Sequence, residues 1–313
     1  MKQFIKKFLA LIITLFTVSL LAFLAFQIIP ADPTTKMLGT EATPEAVAAL
    51  RAQLGLDRPV LERYFLWLSG VFHGDFGISY SYSMPVWDML SDKLPLTGLL
   101  TLLSFLFTVV LSIPLGVLAG SIRNRFLDNF FAVLDQIVMS VPPFFIGMLT
   151  CYVFGIVLRL FTPGAFVSYT QDLGKCLAYM VFPALSIALP RVAMTVKLLR
   201  GSIKKELTQD YIRTARSRGG SRAHILMGHA LPNALIPVIA FLAVSLAEIM
   251  TASIIIEQVF TIPGIGRLLM ASISNRDFPV VQAIVLILAA WIVLINFTAD
   301  MLYQLADPRV RLR

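Results

Sequence analysis

The chain has 313 residues, of which 58% are hydrophobic and 14% charged, and its mean hydropathy is +0.81. A soluble domain of this length has no core large enough to hide so much apolar surface, so its solvent is lipid. The formal net charge of +8 does not require nucleic acid, because the basic residues lie between apolar runs rather than on one polar domain. Cys151 and Cys176 fall in or beside such runs, which excludes a disulfide scaffold and reads as two free, packed thiols.

A helix that crosses a bilayer needs about 20 mainly apolar residues. Six runs qualify: Phe8 to Ile29, Leu99 to Leu118, Phe131 to Phe161, Leu177 to Leu199, Leu235 to Ile262 and Val280 to Leu305. Lys2, Lys6 and Lys7 precede the first run as they would in a signal peptide. The run is longer than a usual signal core and lacks a small-x-small site, so a retained anchor is expected. The third run exceeds one crossing and either tilts or breaks near Pro142-Pro143.

Between the first two runs, residues 30–95 are polar enough to fold outside the membrane. Ala42 to Leu54 is a helix pattern, with Thr43 as cap, Pro44 in the first turn and Val47, Leu50 and Leu54 on one face. Arg63 to Phe72 reads as a second short helix, and Gly74-Asp75-Phe76-Gly77 as a turn. The aromatic residues Tyr64, Phe65, Trp67, Phe72, Phe76, Tyr80, Tyr82 and Trp87 fit either an interfacial belt or a docking surface for an external partner.

The segment from Asp210 to Asn233, between the fourth and fifth runs, is the most polar part of the core. Ile203, Leu207, Tyr211 and Ala215 recur every four residues and predict one helical face. Gly219-Gly220 ends that helix, because a left-handed C-cap strains any residue with a side chain. Ser221 caps a second short helix with Ala223, Leu226 and Ala230 on one face, and Pro232 stops it before the fifth run. Further on, Pro263, Gly264 and Gly266 suggest a tight outer turn.

Lys and Arg favour the cytoplasmic side of membrane spans. With the N-terminus inside, sixteen of the 26 basic residues fall on the cytoplasmic side and nine outside, while Arg191 lies within the fourth run. Six spans with both termini cytoplasmic is the consistent solution. No phosphate-binding G-x-x-x-x-G-K-[ST] loop, H-E-x-x-H or paired-cysteine pattern is present, so neither ATP hydrolysis nor a metal site is assigned to the chain itself. His224 and His229 lie five apart with no third ligand in view, and His73 stands alone outside, which leaves no Ser-His-Asp constellation. Asp135, Arg191, Glu248, Glu257 and Asp300 are the ionisable groups within the runs. Of these, Glu248 is the candidate proton relay of a gradient-driven transporter.

The Asp210–Asn233 segment resembles the coupling loop of ABC-importer permeases. That loop has the form Glu-Ala-Ala, three residues, Gly, nine residues, Ile, any residue, Leu-Pro. Ala215, Gly219, Leu231 and Pro232 match it, while Arg213, Thr214 and His229 replace the Glu, the first Ala and the Ile. The version Asp210-Tyr211-Ile212-Arg213-Thr214-Ala215-Arg216-Ser217-Arg218-Gly219 is similar to that of the peptide and nickel branch, the dipeptide/oligopeptide permease B type. The likeness extends through Ile29-Pro30-Ala31-Asp32-Pro33, Leu54-Gly55-Leu56-Asp57-Arg58-Pro59 and Gly74-Asp75-Phe76-Gly77. It continues through Glu257-Gln258-Val259-Phe260 with Pro263-Gly264-Ile265-Gly266, Arg276-Asp277-Phe278-Pro279-Val280-Val281-Gln282 and Asp307-Pro308-Arg309. Between the third and fourth runs the chain departs from the branch: Phe161-Thr162-Pro163-Gly164 stands where a Leu-Pro-x-x-Gly turn is usual.

The resemblance implies an all-α, polytopic membrane protein with six transmembrane helices and the type I ABC-importer permease fold. Residues 1–29 form the N-terminus and first anchor, 30–95 the extracytoplasmic region, 96–305 a five-helix core and 306–313 a cytoplasmic tail. Within the core, residues 200–233 are the coupling loop. The implied partners are a second homologous permease, two cytoplasmic ATP-binding subunits and an extracytoplasmic solute-binding protein; ATP and Mg2+ bind in the partners and no cofactor binds this chain. The implied activity is non-catalytic: a pathway subunit for small peptides or a related solute, with nickel or a metal chelate as the alternative cargo. A secondary transporter and a membrane-anchored scaffold are the competing classes.

Overall fold

The computed structural model describes residues 2–28, 33–39, 43–53 and 55–306, all of whose regular elements are helical. Residues 29–32, Leu54 and the basic tail 307–313, which carry parts of the motifs above, lie outside the described residues. Helix α1 spans Lys2–Ile28, and three short helices follow: α2 (Pro33–Leu38), α3 (Pro44–Gln53) and α4 (Val60–Phe72). Thr43 caps α3 as expected, its hydroxyl accepting from Ala46 N–H at 3.3 Å. After α5 (Val86–Ser91), the long helices are α6 (Leu94–Ser121), α9 (Leu173–Glu206), α12 (Leu231–Val259) and α14 (Phe278–Ala306).

Five helical stretches are long and apolar enough to cross a membrane; α7 (Arg125–Ser140) and α8 (Pro143–Thr150), with the π-helical continuation Cys151–Val157, supply a sixth if taken together. The third run therefore breaks rather than merely tilting, with a bend of 93°. Pro143 has no N–H to give the preceding turn, and Pro142 forces Val141 into extended backbone at φ −88°, ψ 123°.

Two compact units divide the chain: residues 1–97 with 263–294, and residues 98–262 with 295–313. In the first, Tyr64 on α4 is buried between Phe16 and Phe23 of α1, with ring centroids 5.9 and 5.4 Å away. Its hydroxyl shares a 2.8 Å hydrogen bond with Ser19. Phe76 and Trp87 stack at 5.8 Å. The aromatic set therefore divides: Tyr64 and Phe76 build the core, whereas Phe65, Phe72, Tyr82 and Trp87 remain exposed. The Asp277 carboxylate is buried and accepts from Ser79 Oγ at 2.5 Å, Tyr80 N–H at 2.9 Å and Ser81 N–H at 3.3 Å. This clasp pins the loop after α4 to the start of α14.

The second unit is organised on α9, the most enclosed long helix. Small residues let α6 approach it closely: a Cβ at Gly116 would lie 2.7 Å from Leu199, and one at Gly120 would lie 2.9 Å from Ile203. Such contacts replace the hydrophobic drive that lipid does not provide. Arg200 pairs with Asp128 of α7 at 3.2 Å, and Lys204 pairs with the same carboxylate. Arg191 of α9 pairs with Glu248 of α12, so the carboxylate considered for a proton relay is engaged by a guanidinium. Both thiols are free, with Cys176 buried and Cys151 half-buried.

Candidate functional site

The elbow between α9 and α12 contains α10 (Asp210–Ser217), the single turn α11 (Arg222–His224) and a π-helical stretch, Ile225–Ala230, that runs into α12. Its first half differs from the expected continuous helix. Thr208 and Gln209 bond back three residues, to Lys205 at 3.2 Å and Glu206 at 3.0 Å. These tight turns end α9, and Gln209 then adopts extended backbone at φ −72°, ψ 154°. The break moves the apolar face by one position. Ile212, not Tyr211, is buried, and it packs with Ile225 and Ala230 against Leu207, Ala215 and Leu226.

Gly219 does what the sequence requires of it. Its φ is +82°, and a Cβ there would meet nothing within 4 Å, so conformation alone selects glycine. Gly219 N–H bonds to Arg216 at 3.1 Å and Gly220 N–H to Ala215 at 3.2 Å, closing the C-terminus of α10. Gly220 serves a different purpose: a Cβ there would sit 3.0 Å from the Ala215 carbonyl and 3.2 Å from Ile225. Ser221 accepts from His224 N–H at 3.3 Å, as a cap should.

Pro232 does not stop the second helix. It lies inside the continuous helical stretch Arg222–Val259, just after the π-helical turn Ile225–Ala230. The preceding π-helical turn absorbs the register change, Leu231 N–H bonding to the Leu226 carbonyl. For the same reason Ala223, Leu226 and Ala230 are not one buried face: Ala223 is exposed, and the buried pair is Ile225 and Ala230. Leu231 is buried beside Leu199 and Ile203 of α9.

Tyr211 lies at the centre of the elbow. Its hydroxyl donates to Glu206 at the end of α9 (2.5 Å) and accepts from Asn233 of α12 (3.1 Å). The Asn233 amide also donates to the His229 carbonyl at 3.1 Å. Burial and the Glu206 carboxylate push the phenol up from its ordinary value. Arg222 donates to the Ser121 carbonyl where α6 ends. The elbow is thus tied to three long helices at once. Glu206 and Asn233 fall inside the expected loop, residues 200–233, but neither was singled out; their helical ends look unremarkable in sequence, and only the meeting at Tyr211 marks them.

The outer rim is polar and basic. Asp210 and Arg213 form an exposed pair at 3.4 Å, and the Thr214 hydroxyl bonds back to the Asp210 carbonyl at 3.2 Å. Arg216 joins Arg123, Lys204 and Arg222 in the wall of a cavity of about 410 Å³ that no carboxylate lines. His224 and His229 meet edge-on at 5.3 Å. Among the described residues of the elbow no nucleophile is paired with a base; what they form is a hydrogen-bonded junction between helices.

The other expected feature, the tight turn at Pro263, Gly264 and Gly266, is present as a turn that leads directly into a helix rather than as an ordinary loop. Thr261 turns the chain at φ 55°, and Gly264 is the cap of α13 (Ile265–Ser274). Ile265, Gly266 and Leu268 are buried, and Ile265 N–H bonds to Thr97 Oγ1 at 3.0 Å. Proline and glycines here start a helix that turn signals alone did not disclose.

Family models describe both halves of the chain. One for the binding-protein-dependent transport system inner membrane component matches residues 112–312, and one for the N-terminal part of such components matches residues 1–101. The chain belongs to this family. It is a non-catalytic, multi-pass permease of ABC-importer type in the inner membrane. It is similar to a probable peptide ABC transporter permease protein, y4tP, of Sinorhizobium fredii, with 33% identity over 307 residues and 98% of each chain covered. A putative peptide transport system permease protein of Brucella abortus (strain 2308) is 37% identical over 294 residues, 94% of each chain. The glutathione transport system permease protein GsiC of Escherichia coli (strain K12) is 35% identical over 308 residues, 98% of each chain.

Proposed function

We propose that this permease forms part of the pathway of an ATP-driven, binding-protein-dependent importer for small peptides, and that the elbow receives the stroke of the ATPase. In this reading the N-terminus and the elbow are cytoplasmic, and the region spanning residues 30–95 lies outside. The chain pairs with a second, related permease. Two ATP-binding subunits, which hold ATP and Mg2+, seat against residues 202–232, and an external binding protein delivers the solute. The peptide class rests on relatives whose names specify peptides or glutathione.

The observation that carries the mechanical part is the Tyr211 junction. Tyr211 joins α10 to α9 and α12 through Glu206 and Asn233, and Arg222 of α11 joins the same elbow to the end of α6. The basic rim is complementary to carboxylates brought by an ATPase surface. Gly219 sets the angle at which α10 is presented.

The test is Gly219→Val in the assembled transporter. A β-branched residue at φ +82° is strained by about 1–3 kcal/mol and will re-aim α10. Membrane insertion and ATP turnover should persist while peptide uptake per ATP falls about tenfold or more. Uptake at the unaltered level in a well-expressed variant overturns the lever.

A further inference from the structure

The cavity of about 410 Å³ beside the elbow is not used by the lever. It lies within the second compact unit, bounded by the end of α6, the end of α9 and the elbow from Arg216 to Leu226. Its size is in the range of small-molecule sites, roughly 300–1,000 Å³. Four cationic side chains and no carboxylate line it. Two of the four are engaged: Lys204 pairs with Asp128, and Arg222 donates to the Ser121 carbonyl. That carbonyl is neutral, so the Arg222 charge and its remaining N–H groups are left over. Among the described residues, the side chains of Arg123 and Arg216 have neither a hydrogen-bond nor an ion-pair partner, and both are exposed, within reach of a ligand. Three uncompensated guanidinium groups in one wall describe an anion, and the planar fork of arginine matches the oxygens of a phosphate.

The surroundings narrow the chemistry. Ile122, Leu207, Ile225 and Leu226 supply apolar wall. The cavity sits where the apolar helix α6 stops and the polar elbow begins. Leu115 and Leu118, in the last two turns of α6, are 41% and 61% exposed. Spacings of three and four residues set them on one side with Ile122, so a strip of apolar surface leads along the span to the cavity wall. A free phosphate or a carboxylate has no use for such a strip. A phospholipid, with its phosphate above its acyl chains, matches both parts. Basic pockets between spans at a membrane surface suit anionic headgroups. Asp210 and Arg213, the exposed pair of α10, do not line the cavity, so a partner seated on that pair need not fill it.

We propose that this cavity holds the phosphate of an anionic phospholipid. Arg123, Arg216 and Arg222 donate to its oxygens, and an acyl chain lies along Leu118 and Leu115. Arg123 follows α6 and Arg216 belongs to α10, so one phosphate ties a membrane span to the elbow. The inference needs only that α6 and α9 cross the membrane; it depends neither on the solute nor on the lever.

The test uses the assembled transporter, ATPase subunits included, in phosphatidylcholine nanodiscs. The probe is a trace of phosphatidylglycerol with a diazirine near the head of one acyl chain, and its adducts after irradiation are mapped by mass spectrometry. Adducts on residues 115–122 are expected, and the same probe built on phosphatidylcholine should give about a tenth of their yield or less. Arg123→Gln and Arg216→Gln should each lower the yield about fivefold, the effect of one basic residue at an anionic surface. Arg123→Lys should restore part of it. Labelling elsewhere on the chain should stay level in these variants, which separates loss of the site from loss of the fold. Equal yields from the two headgroups overturn the proposal. Displacement of the probe by inorganic phosphate overturns it too, because the cavity would then be a site for soluble anions. Absence of adducts here while other apolar helices are labelled also overturns it, and leaves the arginines to carboxylates of the ATPase.

Discussion

The elbow and the Asp277 clasp both use short polar groups to fix the end of a long helix, yet they are built in opposite ways. In the clasp the carboxylate is 1% exposed and every donor to it comes from one loop, Ser79–Ser81. Water cannot substitute for those partners, so the clasp has one arrangement or none. In the elbow, Tyr211, Glu206 and Asn233 meet where solvent reaches them. Their bonds can be exchanged for water at small cost, so the junction can open and re-form. Polar contacts of similar length thus make a lock in one place and a joint in the other, and burial decides which.

The largest effect expected from this contrast is at the lock. Asp277→Ala leaves the buried Ser79 hydroxyl and the part-buried Tyr80 N–H without their acceptor, at about 1–3 kcal/mol for each stranded group. Unfolding in lipid–detergent micelles should report a loss of about 3–5 kcal/mol, with early proteolysis in residues 60–95. Asp277→Asn retains one acceptor oxygen and should recover part of the loss. If the alanine variant unfolds like the unaltered chain, Asp277 is no lock and the contrast fails.

Why the two places were unequally legible in sequence follows from the distances involved. Gly219 was readable because only glycine rests easily at its φ, and span lengths were readable because bilayer thickness dictates them. The break at Pro142-Pro143 was one of two readings, and missing N–H groups decided it. The register of α10 was not readable: the turn at Thr208-Gln209 contains neither Gly nor Pro, so the four-residue pattern ran straight past it to Tyr211. A π-helical turn has no common residue signature, which hid both the pairing of Ile225 with Ala230 and the continuation through Pro232. Asp277 meets Ser79 across 198 positions, and no local pattern pairs residues so far apart. Local conformation was legible where a single backbone constraint names the amino acid, as at Gly219, and hidden where two ordinary side chains meet from distant elements.

The next effect in size is at the joint. Tyr211→Phe removes the bonds to Glu206 and Asn233 while keeping the ring. Each is solvent-accessible, so stability should fall by no more than about 1–2 kcal/mol. Coupling should suffer more than folding: peptide uptake per ATP is expected to drop several-fold, with Asn233→Ala giving a smaller drop in the same direction. Parallel measurement of unfolding and of the uptake-to-hydrolysis ratio separates the two. A variant that loses stability and coupling in equal proportion would show the elbow to be a second lock.

The smallest effect belongs to the rim. Arg213 and Asp210 are paired at 3.4 Å with their side chains 75% and 95% exposed, and such pairs contribute less than about 0.5–1 kcal/mol. Arg213→Ala should leave unfolding unchanged within error. What it should alter is assembly: if the rim meets carboxylates of the ATPase, subunit association weakens about threefold at low salt, and the difference shrinks as ionic strength rises. A loss of more than 2 kcal/mol in fold stability from this one exposed side chain would mean that the rim carries internal load. It would then be part of the scaffold, and the joint would have to be sought among the buried contacts of Ile212.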